Sequence, residues 1–354
     1  MSTEFYDGTK LLSLLDINGN KPEIYICTTN RNGGKTTYFN RFATNKFLKD
    51  KSKFALLYRY DYEVSEVADK FFKDIGALFF NGYYMTSKRR ARGVFHELFM
   101  HYPNEPENFE GISCGYALCI NKADSIKKYS HLMSDVDRII FDEFQSENNQ
   151  YCPNEIQKFI SIHTSLARGR GKQVRYLPVY MISNTVSIIN PYYVDMGISD
   201  RLQSNTNFLR GDGYVLENGF IESASNAQKS SGFNKAFANN SYTRYASESV
   251  YLNDDTAFIE RPEGQSKYLA TLQYEGKEYA IREYYEAGVI YCDDHPDETY
   301  RYKIALTTKD HNVNYVMLKN NDVFISNMRY YFEKGCFRFK NQLCKQVIMK
   351  FVSY

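Results

Sequence analysis

Residues 33–37 combine the residue types and the spacing that bind a phosphate chain. The run Gly33-Gly34-Lys35-Thr36-Thr37 stands between an apolar segment at 24–27, which predicts a strand, and a segment at 35–47 with helical periodicity. Backbone amides at the beginning of a helix can surround anionic oxygens, and the lysine adds a positive charge there. The pattern G-x-x-x-x-G-K-[ST] is matched except at its first glycine, where Thr29 stands. The alternative is a glycine turn that merely begins a helix.

A second motif, DRIIFDEF at 137–144, places two carboxylates where an apolar strand ends. Asp142 could hold Mg²⁺ beside the hydroxyl of Thr36, while Glu143 could orient and deprotonate the attacking water. Alone, such an acidic pair is as typical of a solvated turn. Together with the glycine loop it predicts a P-loop domain that hydrolyses ATP, since a kinase for a small acceptor has no need of the water-activating glutamate.

Two further segments suit the same chemistry. The strand-like run VYMISN ends in Asn184, which could sense the γ-phosphate or simply cap the strand. The segment LARGRGKQVR at 166–175 carries Arg168 and Arg170 around two glycines. An arginine from a neighbouring subunit can neutralise the charge that develops during phosphoryl transfer, so this loop is a candidate trans finger. A solvated basic loop or a nucleic-acid contact is the alternative, and a second basic cluster, SKRRARG at 87–93, is equally open to a phosphate contact or a plain exposed face.

The composition indicates a soluble globular protein. The 354 residues are 43% hydrophobic and 24% charged, which suffices for two domains, and the net charge of +2 gives no argument for or against a nucleic-acid partner. Seven cysteines form no C-x-x-C pair and no zinc-finger spacing, so we interpret them as buried thiols in a reducing cytoplasm. The N-terminus has no signal-peptide core, and no apolar run approaches the ~18 residues of a membrane span. We expect a cytosolic protein without a membrane partner.

The elements that must position these residues alternate between short apolar runs and amphipathic stretches, which predicts an α/β domain with a largely parallel sheet. The predicted strands are 24–27, 54–58, 77–80, 117–120, 138–141 and 178–182, and the predicted helices are 35–47, 63–74 and 154–166. We assign this domain to 1–221. Residues 222–255, rich in Ser, Asn and Ala with little periodicity, are predicted to form a linker. Residues 256–354 are predicted to form an α+β domain with a meander over 267–274, 277–285 and 288–292 and a helix over 341–351.

In these motifs the chain resembles the DNA-packaging ATPases, or DNA encapsidation proteins, of small protein-primed tailed phages of the Salasvirus (Picovirinae) type. The resemblance spans nearly the whole chain, although single identities are sparse. The segments that carry it are LYRYDYEVSEVADKFF at 57–72, FDEF followed by YCPNE at 151–155, SNTVSIINPYY at 183–193, ALTTKD at 305–310 and GCFRFKNQ at 335–342.

The resemblance implies an ASCE P-loop motor domain followed by an RNase H-like domain that has lost its nuclease function. It further implies a terminase-like ring, a pentamer, that sits on the portal of the procapsid and drives double-stranded DNA inward with ATP and Mg²⁺. A packaging RNA is a further candidate partner. Such a protein acts in the host cytoplasm, joins the procapsid transiently and is absent from the mature virion.

Carried over position by position, the resemblance and the motifs give one set of site residues. The expected nucleotide-binding residues are Arg31, Gly33, Gly34, Lys35, Thr36, Thr37 and Asn184. The expected metal ligands are Thr36 and Asp142, and the expected catalytic residues are Glu143, Arg168 and Arg170. Thr29 and Asn32 replace glycines of the family's loop, which leaves its chemical groups in place but makes its backbone path an open question.

The second domain lacks an obvious nuclease centre. A two-metal nuclease needs several converging carboxylates, but the first predicted strand offers only Glu275 at its end, and Asp293 and Asp294 suit a turn. Two alternatives to a packaging translocase stay open. One is a terminase or helicase-like ATPase with an active nuclease, and the other is a non-hydrolysing nucleic-acid or capsid scaffold with a degenerate P-loop.

Overall fold

The computed structural model describes residues 5–106, 109–148, 150–199, 201–202, 206–248, 251–252, 258–318 and 322–352. The chain divides into two compact units. The first unit contains residues 1–195 and 202–253, and the second contains residues 196–201 and 254–354. None of the described helices combines the length and the apolar character needed to cross a lipid bilayer.

The strands and helices are numbered in chain order. The strands are β1 (Ile24–Thr29), β2 (Lys53–Tyr58), β3 (Tyr84–Arg90), β4 (Phe95–His101), β5 (Ile112–Cys119), β6 (Val136–Asp142), β7 (Val179–Asn184), β8 (Phe208–Gly211), β9 (Tyr214–Asn218), β10 (Ser266–Tyr274), β11 (Lys277–Tyr284), β12 (Val289–Asp293), β13 (Lys303–Ala305) and β14 (Phe337–Phe339). The helices are α1 (Thr9–Ser13), α2 (Lys35–Asp50), α3 (Val67–Phe79), α4 (Ala123–Tyr129), α5 (Glu155–Leu166), α6 (Pro191–Asp195), α7 (Glu222–Ser230), α8 (Gly232–Ala236), α9 (Ser241–Glu248), α10 (Val323–Glu333) and α11 (Gln342–Val352).

A nine-stranded sheet forms the centre of the first unit. Its strand order is β3-β4-β5-β2-β6-β7-β1-β9-β8, and the six strands from β5 to β9 in this order run parallel. Strands β3, β4 and β8 pair antiparallel at the two edges. The predicted mostly parallel sheet is therefore confirmed. Parallel pairing brings the carboxyl ends of β1, β6 and β7 to one edge, because Thr29 lies opposite Asn184 and Asp142 lies opposite Ile182.

Aromatic side chains fill much of the core around this sheet. Phe39 on α2 is fully buried and packs against Tyr6 and Tyr180, with ring centroids 6.1 and 5.6 Å away. On the other side of α2, the neighbouring helix α3 contributes Phe71, which stacks on Phe54 of β2 at 4.9 Å. Large rings bury much apolar surface each, so the many Phe and Tyr residues of the sequence support the core that holds the strand ends in place.

The strand predicted over 77–80 is wrong, because this run is the end of helix α3. Within that helix Phe71, Phe72 and Ile75 are buried, whereas Leu78 and Phe79 are 67% and 42% exposed. The buried positions recur with the helical period, and the apolar run mimics a strand only because the last turn of the helix leaves two large apolar residues exposed to solvent.

Two antiparallel hairpins were not predicted. The first joins β3 to β4 and contains the basic cluster at 87–93, in which Lys88 pairs with Glu110 and Arg90 pairs with Glu97 at 2.6 and 2.7 Å. The second joins β8 to β9, and β9 lies beside β1. Both hairpins lie at sheet edges, where the alternation of polar residues gives a weak strand pattern.

The prediction of a linker over 222–255 is wrong for residues 222–248. This segment forms α7, α8 and α9 and belongs to the first unit. Ala224, Tyr245 and Ala246 are buried there. The remainder of the predicted linker and the expected boundary at 256 lie largely in 249–250 and 253–257, outside the described residues.

The second unit contains a five-stranded sheet with the order β13-β10-β11-β12-β14. Strands β10, β11 and β12 form the predicted antiparallel meander, while β13 pairs parallel with β10 and β14 pairs parallel with β12. The predicted C-terminal helix is α11, which contributes buried Leu343, Val347 and Phe351. An α+β unit is therefore present.

Candidate nucleotide site

The loop between β1 and α2 has the backbone shape of an anion-binding turn. Gly34, immediately before α2, adopts a left-handed conformation with φ 89°, and Asn32 does so with φ 61°. No side chain caps the helix at Gly34, so an anion can bind to the first amides of α2 at the helix N-terminus. Asparagine is among the few residues other than glycine that adopt this conformation readily, so Asn32 can replace the family's glycine.

Buried hydrogen bonds hold the loop in place. The side chain of Asn30 is bound at both ends to the backbone of Ile221, because its Nδ2 donates to the carbonyl at 3.0 Å and its Oδ1 accepts from the amide at 2.9 Å. On the other side of the loop, the amide of Tyr6 donates to the carbonyl of Gly33 at 2.7 Å. The loop is therefore preformed by contacts with two distant segments.

Thr29 has a structural role in this turn. Its side chain is fully buried, and its hydroxyl donates to the carbonyl of Asn30 at 2.9 Å. A Cβ atom at Gly33 would lie 3.1 Å from this hydroxyl and 2.9 Å from the side chain of Ile221, which leaves space only for glycine at position 33. Thr29 thus completes the turn in place of the family's glycine.

Lys35 is buried at the centre of the site. Its Nζ donates to Oδ1 of Asn184 at 2.7 Å, which brings the end of β7 to the beginning of α2. Burial lowers the pKa of Lys35, and the negative charge of Asp142 opposes this shift. The lysine therefore lies between the two strand ends that the sequence had assigned to the site.

Asp142 lies near Thr36 and Lys35. Burial raises the pKa of Asp142, while hydrogen bonding by the side chain of Thr36 and the charge of Lys35 lower it. Thr37, the third residue of α2, is half-buried one position farther along the helix.

Glu143 follows Asp142 in an unusual backbone conformation. Its φ of 55° is left-handed, and its amide donates to Oδ1 of Asp142 at 3.0 Å. The residue is exposed, yet the protein around the carboxyl still excludes enough solvent to raise the pKa of Glu143, and the charges of Asp142 and Glu147 raise it further. A carboxyl group with a raised pKa suits a general base.

Arg31 lies at the rim of the site and contacts a second acidic residue. Its Nη1 donates to Glu147 at 3.0 Å, and it also hydrogen-bonds to the hydroxyl of Tyr242. Glu147 accepts another hydrogen bond from Tyr245 at 2.9 Å. The phosphate loop, the segment after β6 and helix α9 therefore meet at one ion pair. A cavity of about 230 Å³ opens between Arg31, Glu143 and Asn184.

The structure places the arginine loop away from this chain's own nucleotide site. Arg170 donates to Asp137 at 2.8 Å, near the amino end of β6, and Arg168 is exposed in the same loop. Asp142 lies at the other end of that strand, about 16 Å away at the usual rise of about 3.3 Å per residue. This placement separates Arg170 from the site of its own chain, so a catalytic role of the loop requires a neighbouring chain, and the solvated loop and the nucleic-acid contact remain the alternatives.

The chain is similar over nearly its whole length to packaging proteins of tailed phages. A family model described as the Podovirus DNA encapsidation protein (Gp16) matches residues 2–353. The chain belongs to this family. The DNA packaging protein of Bacillus phage phi29 is 24% identical over 347 residues, which cover 97% of this chain and 95% of that protein. The DNA packaging protein of Bacillus phage B103 is also 24% identical, over 89% of this chain and 91% of its own length.

A solved structure of the bacteriophage phi29 viral genome packaging motor assembly shares the fold. Its matching chain superposes with a TM-score of 0.69 at 22% identity, and the match covers 99% of this chain and 100% of that one. The resemblance to the encapsidation proteins that the sequence motifs indicated is therefore confirmed.

For this member of the encapsidation family, motif reasoning missed one buried cluster beside the site. Arg59, directly after β2, pairs with Glu155 at the beginning of α5 at 2.9 Å. The segments that contain them, LYRYDY and YCPNE, both belong to the family resemblance, and this was the only sequence signal that could have marked them.

Proposed function

We propose that this chain is the ATPase subunit of a motor that drives double-stranded DNA through the portal into a phage procapsid. The observation that carries the proposal is the convergence of Lys35, Asp142, Glu143 and Asn184 at the carboxyl edge of one parallel sheet, beside a preformed glycine loop. Membership of the DNA encapsidation family supports the coupling of this site to packaging.

The residues of the site divide the chemistry among them. The backbone of Gly33 and Gly34 and the ammonium of Lys35 bind the β- and γ-phosphates. Glu143 accepts a proton from the attacking water, and Asn184, now bonded to Lys35, is placed to contact the γ-phosphate.

The donors present fit a magnesium ion. Mg²⁺ prefers oxygen ligands and shares them with substrate phosphates, and the side chain of Thr36 lies close enough to the carboxylate of Asp142 to influence its pKa. These two residues would hold the ion, which supplies charge neutralisation of the phosphate oxygens.

DNA-stimulated ATP hydrolysis tests the proposal. Lys35→Ala is expected to lose nucleotide binding, whereas Glu143→Gln is expected to keep binding and lose turnover by at least about 100-fold, as the removal of a general base does. Lys49→Ala, an exposed lysine on the same helix, is the matched control and should behave like the wild type. Wild-type turnover in both site variants would refute the assignment and favour a scaffold with a degenerate loop.

We further propose that the second unit is an RNase H-like domain without nuclease activity. An antiparallel meander followed by a strand parallel to its first strand supports the fold. Among the described residues, one group of three, Asp293, Asp294 and His295, has side chains close enough to share a metal ion. However, Arg282 pairs with Asp293 at 2.9 Å and Lys340 pairs with Asp294, so cations already neutralise both carboxylates.

This assignment predicts that the protein leaves DNA intact in the presence of Mg²⁺ or Mn²⁺. The reason is that a two-metal centre needs carboxylates that are open to the ions. Gel electrophoresis of linear DNA after incubation provides the measurement. Cleavage that disappears in Asp293→Asn would overturn the assignment and favour a terminase with an active nuclease.

The partners proposed for this motor follow from the family and the charge distribution. We propose a homo-oligomeric ring, a pentamer, that docks on the portal in the host cytoplasm, with a packaging RNA as a candidate adaptor, and that is absent from the mature virion. DNA would be gripped through its phosphates, so that binding weakens steeply with salt and shows little sequence preference. The basic hairpin of β3 and β4 is a candidate contact.

A further inference from the structure

The backbone that carries Glu143 is held by an arginine from the neighbouring strand. Strands β2 and β6 pair in parallel, with Leu57 opposite Phe141. Arg59 and Glu143 each follow one of these paired residues by two positions, so Arg59 lies beside Glu143. Arg59 is only 6% exposed, so its guanidinium group is enclosed by the protein between the two strand ends.

All three nitrogens of this guanidinium group donate hydrogen bonds within the protein. Nη1 donates to the carbonyl of Glu143 at 3.2 Å, and Nη2 donates to the carbonyl of Phe144 at 2.6 Å. Nε donates to the carboxylate of Glu155 at 2.9 Å. The planar group thus spans two consecutive peptide units and a counter-ion, a geometry that the point charge of a lysine cannot reproduce.

Glu155 is itself fixed from several sides. It is 3% exposed, and besides Arg59 it accepts hydrogen bonds from the amide of Cys152 and the hydroxyl of Tyr192, both at 2.7 Å. The ring of Tyr151 adds a cation–π contact to Arg59 at 4.9 Å. The pair is therefore fully hydrogen-bonded, which is the condition under which a buried ion pair is tolerated.

The left-handed backbone of Glu143 needs such support. A residue with a side chain in this conformation stores backbone strain and persists only where its surroundings hold it in place. The amide side of this turn is bound by Asp142 at 3.0 Å, and the carbonyl side is bound by Arg59. These two contacts together set the direction of the Glu143 side chain.

We propose that Arg59, anchored by Glu155, is a positioning residue that fixes the backbone of Glu143 for proton abstraction. It acts through Glu143, because each of its three nitrogens already donates to a protein acceptor, two of them on the backbone of the Glu143 turn. The inference rests on the proposed function of Glu143 as the general base.

Three variants test the proposal in the full chain. Arg59→Lys keeps the charge but loses the paired carbonyl contacts, Glu155→Gln removes the counter-ion, and Tyr192→Phe removes a single hydrogen bond to Glu155. We expect kcat to fall by about 10–100-fold in Arg59→Lys, as small misplacements of reacting groups do, with the Kd for a fluorescent ATP analogue within about twofold of wild type. Tyr192→Phe should show the same pattern to a smaller extent.

A double variant separates positioning from a merely structural role. If Arg59 acts through Glu143, Arg59→Lys combined with Glu143→Gln should be no slower than Glu143→Gln alone, because both changes remove the same contribution. Arg138→Lys is the control: Arg138 is also buried, in β6, but it lies over the ring of Phe42 and away from the turn. It should lower the melting temperature without changing kcat when assayed well below that temperature.

The outcomes are distinct. Wild-type kcat in folded Arg59→Lys, or additive losses in the double variant, would overturn the inference while leaving the proposed function intact. Wild-type kcat in Glu143→Gln would instead refute the proposed function. Should Arg59→Lys fail to fold, Tyr192→Phe decides: a lowered kcat with unchanged nucleotide binding supports the inference, and an unchanged kcat overturns it.

Discussion

Glu143 combines a raised pKa with a constrained backbone, and both properties follow from its immediate neighbours. The partial enclosure of its carboxyl and the negative charges of Asp142, Glu147 and Glu63 raise the pKa, while Arg31 lowers it. A general base is active only in its ionised form. A raised pKa therefore means that activity is lost, as the pH falls, at a higher pH than for an ordinary glutamate.

This gives a pH prediction for the ATPase. The acid limb of kcat/KM, which reports the free protein, should lie above the ordinary glutamate pKa of about 4.3. Glu147→Gln should move the limb to lower pH, because it removes a negative charge near Glu143 and releases Arg31 from its ion pair. Initial rates measured across pH in constant ionic strength provide the test. Glu66→Gln is the control, because Glu66 is exposed and is not one of the charges that shift the pKa of Glu143. An unshifted limb in Glu147→Gln would contradict the prediction.

Single residues differ in how far the sequence could assign them. Lys35, Thr36, Asp142 and Glu143 were predicted correctly as neighbours, because short motifs at strand ends converge wherever the strands are parallel. Arg59 was missed, because its role depends on a partner 96 residues away in the sequence. It also depends on the register between two strands, which a single sequence does not show. An arginine after a strand otherwise suggests a solvated turn.

The segment from α7 to α9 is helical and packed, although the sequence predicted a linker there. Its helices are rich in Ser, Ala and Asn, so that small side chains such as Ala224 and Ser225 form the buried face of α7. Small side chains differ little in hydrophobicity from the polar residues around them, so the sequence shows no clear amphipathic period. Without such a period, a linker is predicted. Helix α9 nevertheless brings Tyr242 and Tyr245 to Glu147 at the nucleotide site.

A substitution distinguishes a packed helix from a linker. Tyr245 is 1% exposed, so Tyr245→Ala should lower the free energy of unfolding by about 3–5 kcal/mol, the usual cost of removing a large buried ring. A residue in a solvated linker would show almost no effect. Phe233→Ala on α8, where the ring is 75% exposed, is the control and should change stability by less than about 0.5 kcal/mol. Urea unfolding followed by circular dichroism measures both, and equal stability of the two variants would refute the packing.

Over the whole first unit, the nine-stranded sheet separates the candidate nucleotide site from the arginine loop. The nucleotide site lies at the carboxyl ends of β1, β6 and β7, and the loop with Arg168 and Arg170 lies near the amino end of β6. The sequence contained both motifs but could not place them on opposite edges, because their distance depends on the sheet order.

This separation predicts complementation between two inactive variants. Lys35→Ala lacks a working phosphate site but keeps its arginine loop, whereas Arg168→Ala has the converse defect. In the proposed ring, a mixture contains junctions that join an intact site to an intact loop, so it should regain DNA-stimulated ATPase activity that neither variant shows alone. Arg170→Ala in place of Arg168→Ala identifies which arginine acts. A mixture no more active than the sum of its parts would exclude a trans role for the loop.

The separation of the nucleotide pocket from the arginine loop also determines how many pockets of an assembly have a neighbouring arginine. Subunits that each offer a nucleotide pocket on one side and an arginine on the other associate head to tail, and an open row of n such subunits always leaves one terminal pocket unserved. Only closure gives every pocket a neighbour. When the open row closes into a ring, the last pocket gains a neighbour, so the ATPase activity per subunit should rise by the contribution of that one pocket. The rate of hydrolysis therefore distinguishes a closed ring from an open row.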